Sequence, residues 1–229
     1  MTKKAIITGG TKGIGLALVQ KFIAEGYTVA TCARNQADLD ALKLRLPSII
    51  ALQADVSQKA QVQAFGKEAL AQLGTPDVLI NNAGVFLPGN IQTEDDGVLE
   101  KLLSTNVESA YHLTRTLLPS LVKVGKGHIV NICSTASIVP YTNGGSYCIS
   151  KFALLGFSKV LREELKTTGL RVTSVLPGAV LTPSWDGMNL PSERFIDAAE
   201  LADIIFSVVS TKAGTVVEEL VIRPQLGDI

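Results

Sequence analysis

The sequence predicts an α/β fold, a doubly wound parallel sheet of about seven strands in a single domain. Three observations predict it. Short β-branched runs alternate along the 229 residues with longer segments of helical period. The runs are almost wholly apolar, as expected of strands covered on both faces. A glycine-rich turn over residues 9–15 joins the first run to the first helical segment.

The strands fall at residues 4–8, 27–32, 49–53, 78–81, 129–132, 171–176 and 219–222. Helices are expected at 14–25, 36–45, 59–73, 147–166 and 198–210, with a helix-rich region over 93–123. Strand–helix–strand units of this kind give the Rossmann-type arrangement, whose ligands sit beyond the carboxyl ends of the strands. The irregular stretch 183–194 follows the sixth strand and carries Trp185, Gly187, Met188 and Pro191. A loop of that length at that edge reads as a substrate flap.

Composition excludes several classes. Lys plus Arg equals Asp plus Glu, 21 against 21, so the chain lacks the surplus positive charge of a nucleic-acid binder. Cys32, Cys133 and Cys148 are widely spaced, and His112 and His128 are the only histidines. No metal site or disulfide framework is suggested, and the thiols suit a reducing compartment. Neither a signal sequence nor an apolar run long enough to span a membrane is expected, which points to the cytoplasm.

The turn reads Thr8-Gly9-Gly10-Thr11-Lys12-Gly13-Ile14-Gly15. Gly9 allows a sharp exit from the strand, Gly13 lets backbone approach a phosphate, and Gly15 permits tight packing of helix on sheet. The helix amino terminus offers free N–H groups and partial positive charge to a pyrophosphate. The end of the second strand, where an acid would accept bonds from ribose hydroxyls in an NAD site, carries no acid: it reads Cys32-Ala33-Arg34-Asn35. Arg34 with Lys12 suits the 2′-phosphate of NADP(H), which an acid would repel.

Tyr147 and Lys151 are four residues apart, one helical turn, and so share a face. A free tyrosine, with a pKa of about 10, is a poor base at neutral pH, and a nearby ammonium favours the phenolate. Such a pair can give a proton as hydride arrives at a carbonyl and take it back in reverse.

The spacing Thr-Gly-x-x-x-Gly-x-Gly resembles that of the short-chain dehydrogenase/reductase family. The likeness continues through Asn81-Asn82-Ala83-Gly84, Asn106, Ser134, Tyr147-x-x-x-Lys151 and Pro177-Gly178. The motifs span most of the chain in the family's order. The resemblance implies that Asn106, Ser134, Tyr147 and Lys151 are catalytic. Ser134, 13 residues before Tyr147, would polarise the substrate carbonyl, with Ser137 as its rival and Cys133 in a place often held by serine. Lys151 would also hold the nicotinamide ribose, and the Asn106 backbone a relay water; local bonding by the Asn106 side chain is the alternative.

For the cofactor, the resemblance adds Asp55 and Val56 at adenine and Asn82, Ala83 and Gly84 near the adenosine ribose. It places Pro177 and Gly178 beside the nicotinamide, with Thr182 at its carboxamide. The activity implied is NADP(H)-dependent transfer of hydride between nicotinamide and a small carbonyl or alcohol. A 3-oxoacyl-acyl-carrier-protein reductase is the alternative, although the ending Val216-Val217-Glu218-Glu219-Leu220-Val221-Ile222-Arg223-Pro224 departs from that subgroup. A non-catalytic NADP-binding sensor is the second alternative, against which Ser134, Tyr147 and Lys151 together argue. The substrate would be read by the 183–194 loop with Val85, Phe86, Pro140 and Tyr141. Helices around 107–121 and 152–165 build dimer interfaces in relatives, so a homodimer or homotetramer is expected.

Overall fold

The computed structural model describes residues 2–185, 187 and 190–229. The chain begins with β1 (Lys4–Thr8), α1 (Gly13–Ala24), β2 (Thr28–Ala33), α2 (Gln36–Arg45), β3 (Ile50–Gln53), α3 (Lys59–Leu73) and β4 (Val78–Asn81). It continues with α4 (Val98–Leu103), α5 (Ser109–Val124), β5 (Gly127–Ile132), α6 (Gly145–Leu165), β6 (Leu170–Pro177), α7 (Ala198–Val209) and β7 (Glu219–Ile222). The strands form one sheet in the order β3-β2-β1-β4-β5-β6-β7, and every pairing is parallel. Strands and helices lie within about two residues of where periodicity placed them, apart from the 93–123 region.

Helices cover both faces. Leu18, Val19 and Phe22 of α1 and Leu201, Ala202 and Ile205 of α7 pack with Ala5, Ile7 and Ile80 on one face. Phe65 and Ala69 of α3, Leu113 and Leu117 of α5 and Leu161 of α6 close the other over Ile6, Leu79 and Ile129. The central strands are therefore apolar on both sides. β7 departs from that expectation: Glu219 and Val221 are exposed while Leu220 and Ile222 pack on the core. It is an edge strand paired with β6 alone, and only the face carrying Leu220 and Ile222 is covered.

Local chemistry fixes several element ends. Asn35 caps α2 by accepting from the Ala37 N–H at 2.8 Å, and Asp197 caps α7 by accepting from Ala199 and Glu200. Both satisfy N–H groups that a helix start leaves unpaired.

The 93–123 region is not one helix. α4 passes into α5 through a π-helical turn, Ser104–Glu108. The Ser109 N–H reaches back to the Ser104 carbonyl, five residues away. Such single π-turns inside helices occur frequently at functional sites. Asn106 stands at the middle of this turn.

Candidate active site

The strand order reverses at β1, with β2 on one side and β4 on the other. Connections from neighbouring strands leave in opposite directions there, which opens a crevice at the carboxyl edge. A groove of about 630 Å³ lies along it. Gly9, Thr11, Lys12, Gly13, Ile14 and Gly15 form one wall, with Arg34 and Asp38 beyond β2 and Asp55 and Val56 beyond β3. Asn82, Ala83 and Gly84 after β4 and Thr182 after β6 complete it. Thirteen of the expected cofactor positions thus converge from five segments of chain.

The turn is built for closeness. Gly13 has φ +52°, and a Cβ there would lie 3.1 Å from the Thr182 methyl, so the turn and the loop after β6 nearly touch across the groove. Gly15 has a different reason from the one expected. A Cβ on it would stand 2.1 Å from the Gly9 carbonyl oxygen and 2.5 Å from Asn82 Nδ2. The crowding comes from the turn itself rather than from packing of α1 on the sheet. Asn82 in turn donates from Nδ2 to the Thr8 carbonyl at 2.8 Å, so its amide braces the turn.

At the far end of the groove the ammonium of Lys12 pairs with Asp38 at 3.0 Å. Asp38 was not anticipated. Its signal was available, since it stands four residues after Arg34 in the first turn of α2. Asp55 Oδ1 accepts from the N–H and hydroxyl of Ser57 at 3.0 and 2.8 Å, which fixes its carboxylate beside the groove.

The four expected catalytic residues gather where β4, β5 and α6 meet. Lys151 is 7% exposed, donates to the Ile132 carbonyl at 3.0 Å, and holds its ammonium 5.9 Å from the centre of the Tyr147 ring. An ammonium this enclosed needs partners, because burying an unpaired charge is costly. Ser134 accepts from the Ala136 N–H at 3.1 Å, and its own N–H donates to Ser137 Oγ at 3.2 Å. Those bonds leave the Ser134 proton free to be donated elsewhere. Ser137 is buried at 1% exposure and serves as its capping partner.

Asn106 is 1% exposed. Its Oδ1 accepts from the Val85 N–H at 2.8 Å, and its Nδ2 donates to the Val85 carbonyl and to Ser150 Oγ, both at 3.0 Å. Ser150 Oγ donates to the Tyr147 carbonyl at 2.8 Å. The side chain therefore ties the loop after β4 to the catalytic helix. A Cβ on Gly84 would lie 3.1 Å from Asn106 Oδ1 and 3.8 Å from Lys151 Nζ, so these three residues converge.

Aromatic rings continue the site outward. Phe86 meets Tyr147 edge-on at 4.8 Å and Trp185 at 6.1 Å, and Trp185 meets Phe195 at 5.3 Å. Trp185 is half-buried by these contacts. Among its described residues the 183–194 stretch contains two 3-10 turns, Pro183–Trp185 and Ser192–Arg194, and it is flanked by the Val180↔Ile196 bridge. Met188 lies outside the described residues.

Not every expected position faces the groove. Gly178 donates its N–H to the Ile222 carbonyl at 2.8 Å, and a Cβ on it would meet Asp228 Oδ1 at 2.9 Å. It lies against the carboxyl-terminal tail, one residue beyond Pro177 at the end of β6. Tyr147 and Lys151 stand outside the groove lining, which does include Val85 and Thr105. Burial pushes the Cys133 thiol up to about 11, opposed in part by the charge of Lys151. Burial also raises the Tyr141 phenol, followed by the Tyr147 and Cys148 groups nearby. His112 and His128 belong elsewhere, on α5 and at the opposite end of β5.

Comparison with known proteins shows which family the chain belongs to. The chain is 35% identical over 194 residues to an NADP-dependent 3-hydroxy acid dehydrogenase of Salmonella typhi, covering 83% of this chain and 75% of that protein. It is 26% identical over 228 residues to a 3-oxoacyl-[acyl-carrier-protein] reductase of Staphylococcus aureus, covering 93% of each. The closed form of a serine dehydrogenase complexed with NADP+ superposes with a TM-score of 0.89 at 27% identity, over 99% of this chain and 96% of that one. The model of the family described as short chain dehydrogenase matches residues 3–191. With a match over that span, the chain belongs to the short-chain dehydrogenase family.

Proposed function

We propose that the protein is an NADP(H)-dependent oxidoreductase that interconverts a small carbonyl compound and its alcohol, of the carbonyl reductase or hydroxy-acid dehydrogenase type. The observation that carries the reading is the enclosed Lys151 ammonium beside the Tyr147 ring, next to Ser134 at the end of β5.

The groove fits a dinucleotide. Its glycine turn leaves no room for a Cβ at Gly15, and α1 begins there with Lys12 making no side-chain cap. N–H groups at the helix start are thus available to a pyrophosphate. Arg34 supplies positive charge where a 2′-phosphate would lie, Lys12 stands there paired with Asp38, and Ala33 adds no acid at the end of β2. Asp55, Val56, Asn82 and Ala83 would flank the adenosine, with Thr182 at the other end. When bound, NADP(H) supplies or accepts the hydride.

The chain's own residues handle the proton and the oxygen. Tyr147 Oη gives a proton to the substrate oxygen in reduction and takes it back in oxidation. The Lys151 ammonium stabilises the phenolate left behind. Ser134 donates its free hydroxyl proton to the same oxygen as charge develops there. Asn106 holds Val85 and Ser150 in place, and the carbonyl groups of its π-turn are the route by which a water would link Lys151 to solvent. Phe86 and Trp185 give the substrate an aromatic wall and help exclude water.

Screening NADPH oxidation over ketones, aldehydes, 3-oxo esters and 3-oxoacyl thioesters tests the reading. Turnover of one class with loss in Tyr147→Phe supports it. NADPH binding without turnover of any class favours a sensor. A preference for thioesters on acyl-carrier protein favours the reductase alternative.

Self-association fits the same reading. Tyr111 and Val122 on α5 and Ile149, Phe152 and Val160 on α6 are exposed apolar side chains on the two helices expected to pair. Light scattering in solution decides between monomer, dimer and tetramer. A cytoplasmic setting agrees with three buried free thiols. No helix among the described residues is long and apolar enough to cross a membrane.

A further inference from the structure

α6 carries Tyr147 in its first turn, yet its N-cap residue is Gly144, which has no side chain to satisfy the opening N–H groups. The missing cap comes from a distant segment. Glu94, in the loop between β4 and α4, accepts from the Ser146 N–H through Oε1 at 2.9 Å and from the Ser146 hydroxyl through Oε2. Ser146 is 3% exposed, and Glu94 is half-buried. A carboxylate is well suited to that place, since it accepts orphan N–H groups and opposes the positive end of the helix.

The same loop is stitched to the turn that leads into α6. Gly89 bridges Gly144 and donates its N–H to the Asn143 carbonyl at 3.0 Å. Asn143, held at φ +67°, donates its own N–H to Asn90 Oδ1 at 3.0 Å. The fit leaves no slack. A Cβ on Gly145 would stand 2.1 Å from Glu94 Oε1 and 2.6 Å from the Gly89 carbonyl, and one on Gly89 would stand 2.6 Å from Glu94 Cγ. The glycines at 89 and 145 are thus the counterpart of the glutamate. Phe86, at the start of this loop, touches the Tyr147 ring. The loop holds the tyrosine from two sides, by its ring and by the backbone just before it.

We propose that Glu94 is a positioning residue for the reaction: it clamps the start of α6 to the β4–α4 loop and so sets where the Tyr147 hydroxyl stands relative to substrate and cofactor. The proposal rests on the oxidoreductase reading above. Catalysis is sensitive to such placement, because a shift of about 1 Å can cost about a hundredfold in rate. Glu94 takes no part in the chemistry, and the cofactor groove lies apart from it.

The test compares Glu94→Ala and Glu94→Gln with wild type, using NADPH and ethyl 3-oxobutanoate and counting active sites by NADPH fluorescence titration. Glu94→Ala is expected to lower kcat per NADPH-binding site about tenfold or more, with the NADPH Kd within about twofold of wild type. Glu94→Gln keeps both acceptor and reach and is expected to restore at least about half of the wild-type kcat. A residue that merely stabilised the fold would reduce the number of binding sites and leave kcat per site unchanged, and that result overturns the proposal. So does a Gln variant as impaired as Ala. If the Ala variant does not fold, Glu94→Asp, whose carboxylate is one methylene short of Ser146, takes its place with the same expectations. If wild type turns over neither this ester nor any other class of the carbonyl panel, the functional reading is what has failed. Hydrogen exchange then judges the clamp alone: faster exchange at residues 145–149 in Glu94→Ala, with β4 and β5 unchanged, keeps it, and no change removes it.

Discussion

The ammonium of Lys151 stands 5.9 Å from the centre of the Tyr147 ring, one helical turn along α6, and donates to the carbonyl of Ile132 at 3.0 Å. The lysine thereby ties the helix bearing the phenol to the end of β5, beside Ser134. Tyr147→Phe removes the hydroxyl while leaving the ring on Phe86 and the lysine in place. The expected result is a fall in kcat of about a hundredfold or more with the NADPH Kd little changed, read by stopped-flow and fluorescence titration. Unaltered turnover would place the proton donor elsewhere.

Lys12 and Asp38 form an ion pair at the far end of the groove, which Arg34 also lines. The pair reduces the positive charge available to a 2′-phosphate. Asp38→Asn is therefore expected to tighten NADPH roughly two- to fivefold, most visibly at low salt, with NADH unaffected. Arg34→Asp is expected to weaken NADPH about tenfold or more. Isothermal titration with both coenzymes checks the pair of outcomes. An unchanged preference in Arg34→Asp would refute the assignment of NADP(H) to these residues.

The glycine turn lets steric and electronic causes be separated. Gly15→Ala puts a methyl group within van der Waals radii of the Gly9 carbonyl, a backbone atom that cannot swing aside. The variant should lose about 1–3 kcal/mol of stability and bind NADPH about tenfold more weakly. Thermal melts with and without NADPH measure both. Gly214→Ala, where a Cβ meets nothing, is the matched control.

His128 is 1% exposed, hydrogen-bonds Thr173 at 2.7 Å, and is held at about 3 by burial and by the charge of Arg171. The folded chain keeps this imidazole neutral while the unfolded chain protonates it near 6.5. Its contribution to stability is thus complete above that value and is lost as the pH falls from about 6.5 towards 3. The loss should amount to about 1.4 kcal/mol per pH unit below about pH 6. Urea unfolding from pH 4 to 7 should show a shallower slope by that amount in His128→Gln. Parallel slopes would mean that the imidazole is not a source of acid lability.

Burial pushes the thiols of Cys32 and Cys133 up to about 12 and about 11. Neither should react with iodoacetamide at pH 8 while the chain is folded, since the thiolate is the nucleophile. Mass-spectrometric mapping should find both labelled only after denaturation. Rapid labelling of Cys133 in the folded state would show that the end of β5 opens readily.

Much of the site was readable from residue order because its parts are local. The turn at residues 9–15, the Tyr147–Lys151 pair and the motif after β4 each lie within a few residues, where spacing alone puts groups on one face or at one strand end. The π-turn was hidden for the opposite reason. Residues 104–108 read as ordinary helix, and what makes the wider turn worthwhile is the bonding of Asn106 to Val85 and Ser150, 21 and 44 residues away. The purpose of Gly15 was misread in the same way, since its neighbour in space is Gly9 rather than the sheet.

By itself, the order of residues determined the parallel α/β sheet, its element boundaries to within a few positions, and the identity of most groups at its carboxyl edge. It could do so because hydrophobic period and turn chemistry are short-range properties of the chain. Only the tertiary structure decided that Lys12 is shared with Asp38, that Gly178 faces the tail, and that Glu94 caps the helix of Tyr147 from 52 residues away. Those contacts depend on which loops the sheet order brings side by side, and partner choice across such distances leaves no periodic trace.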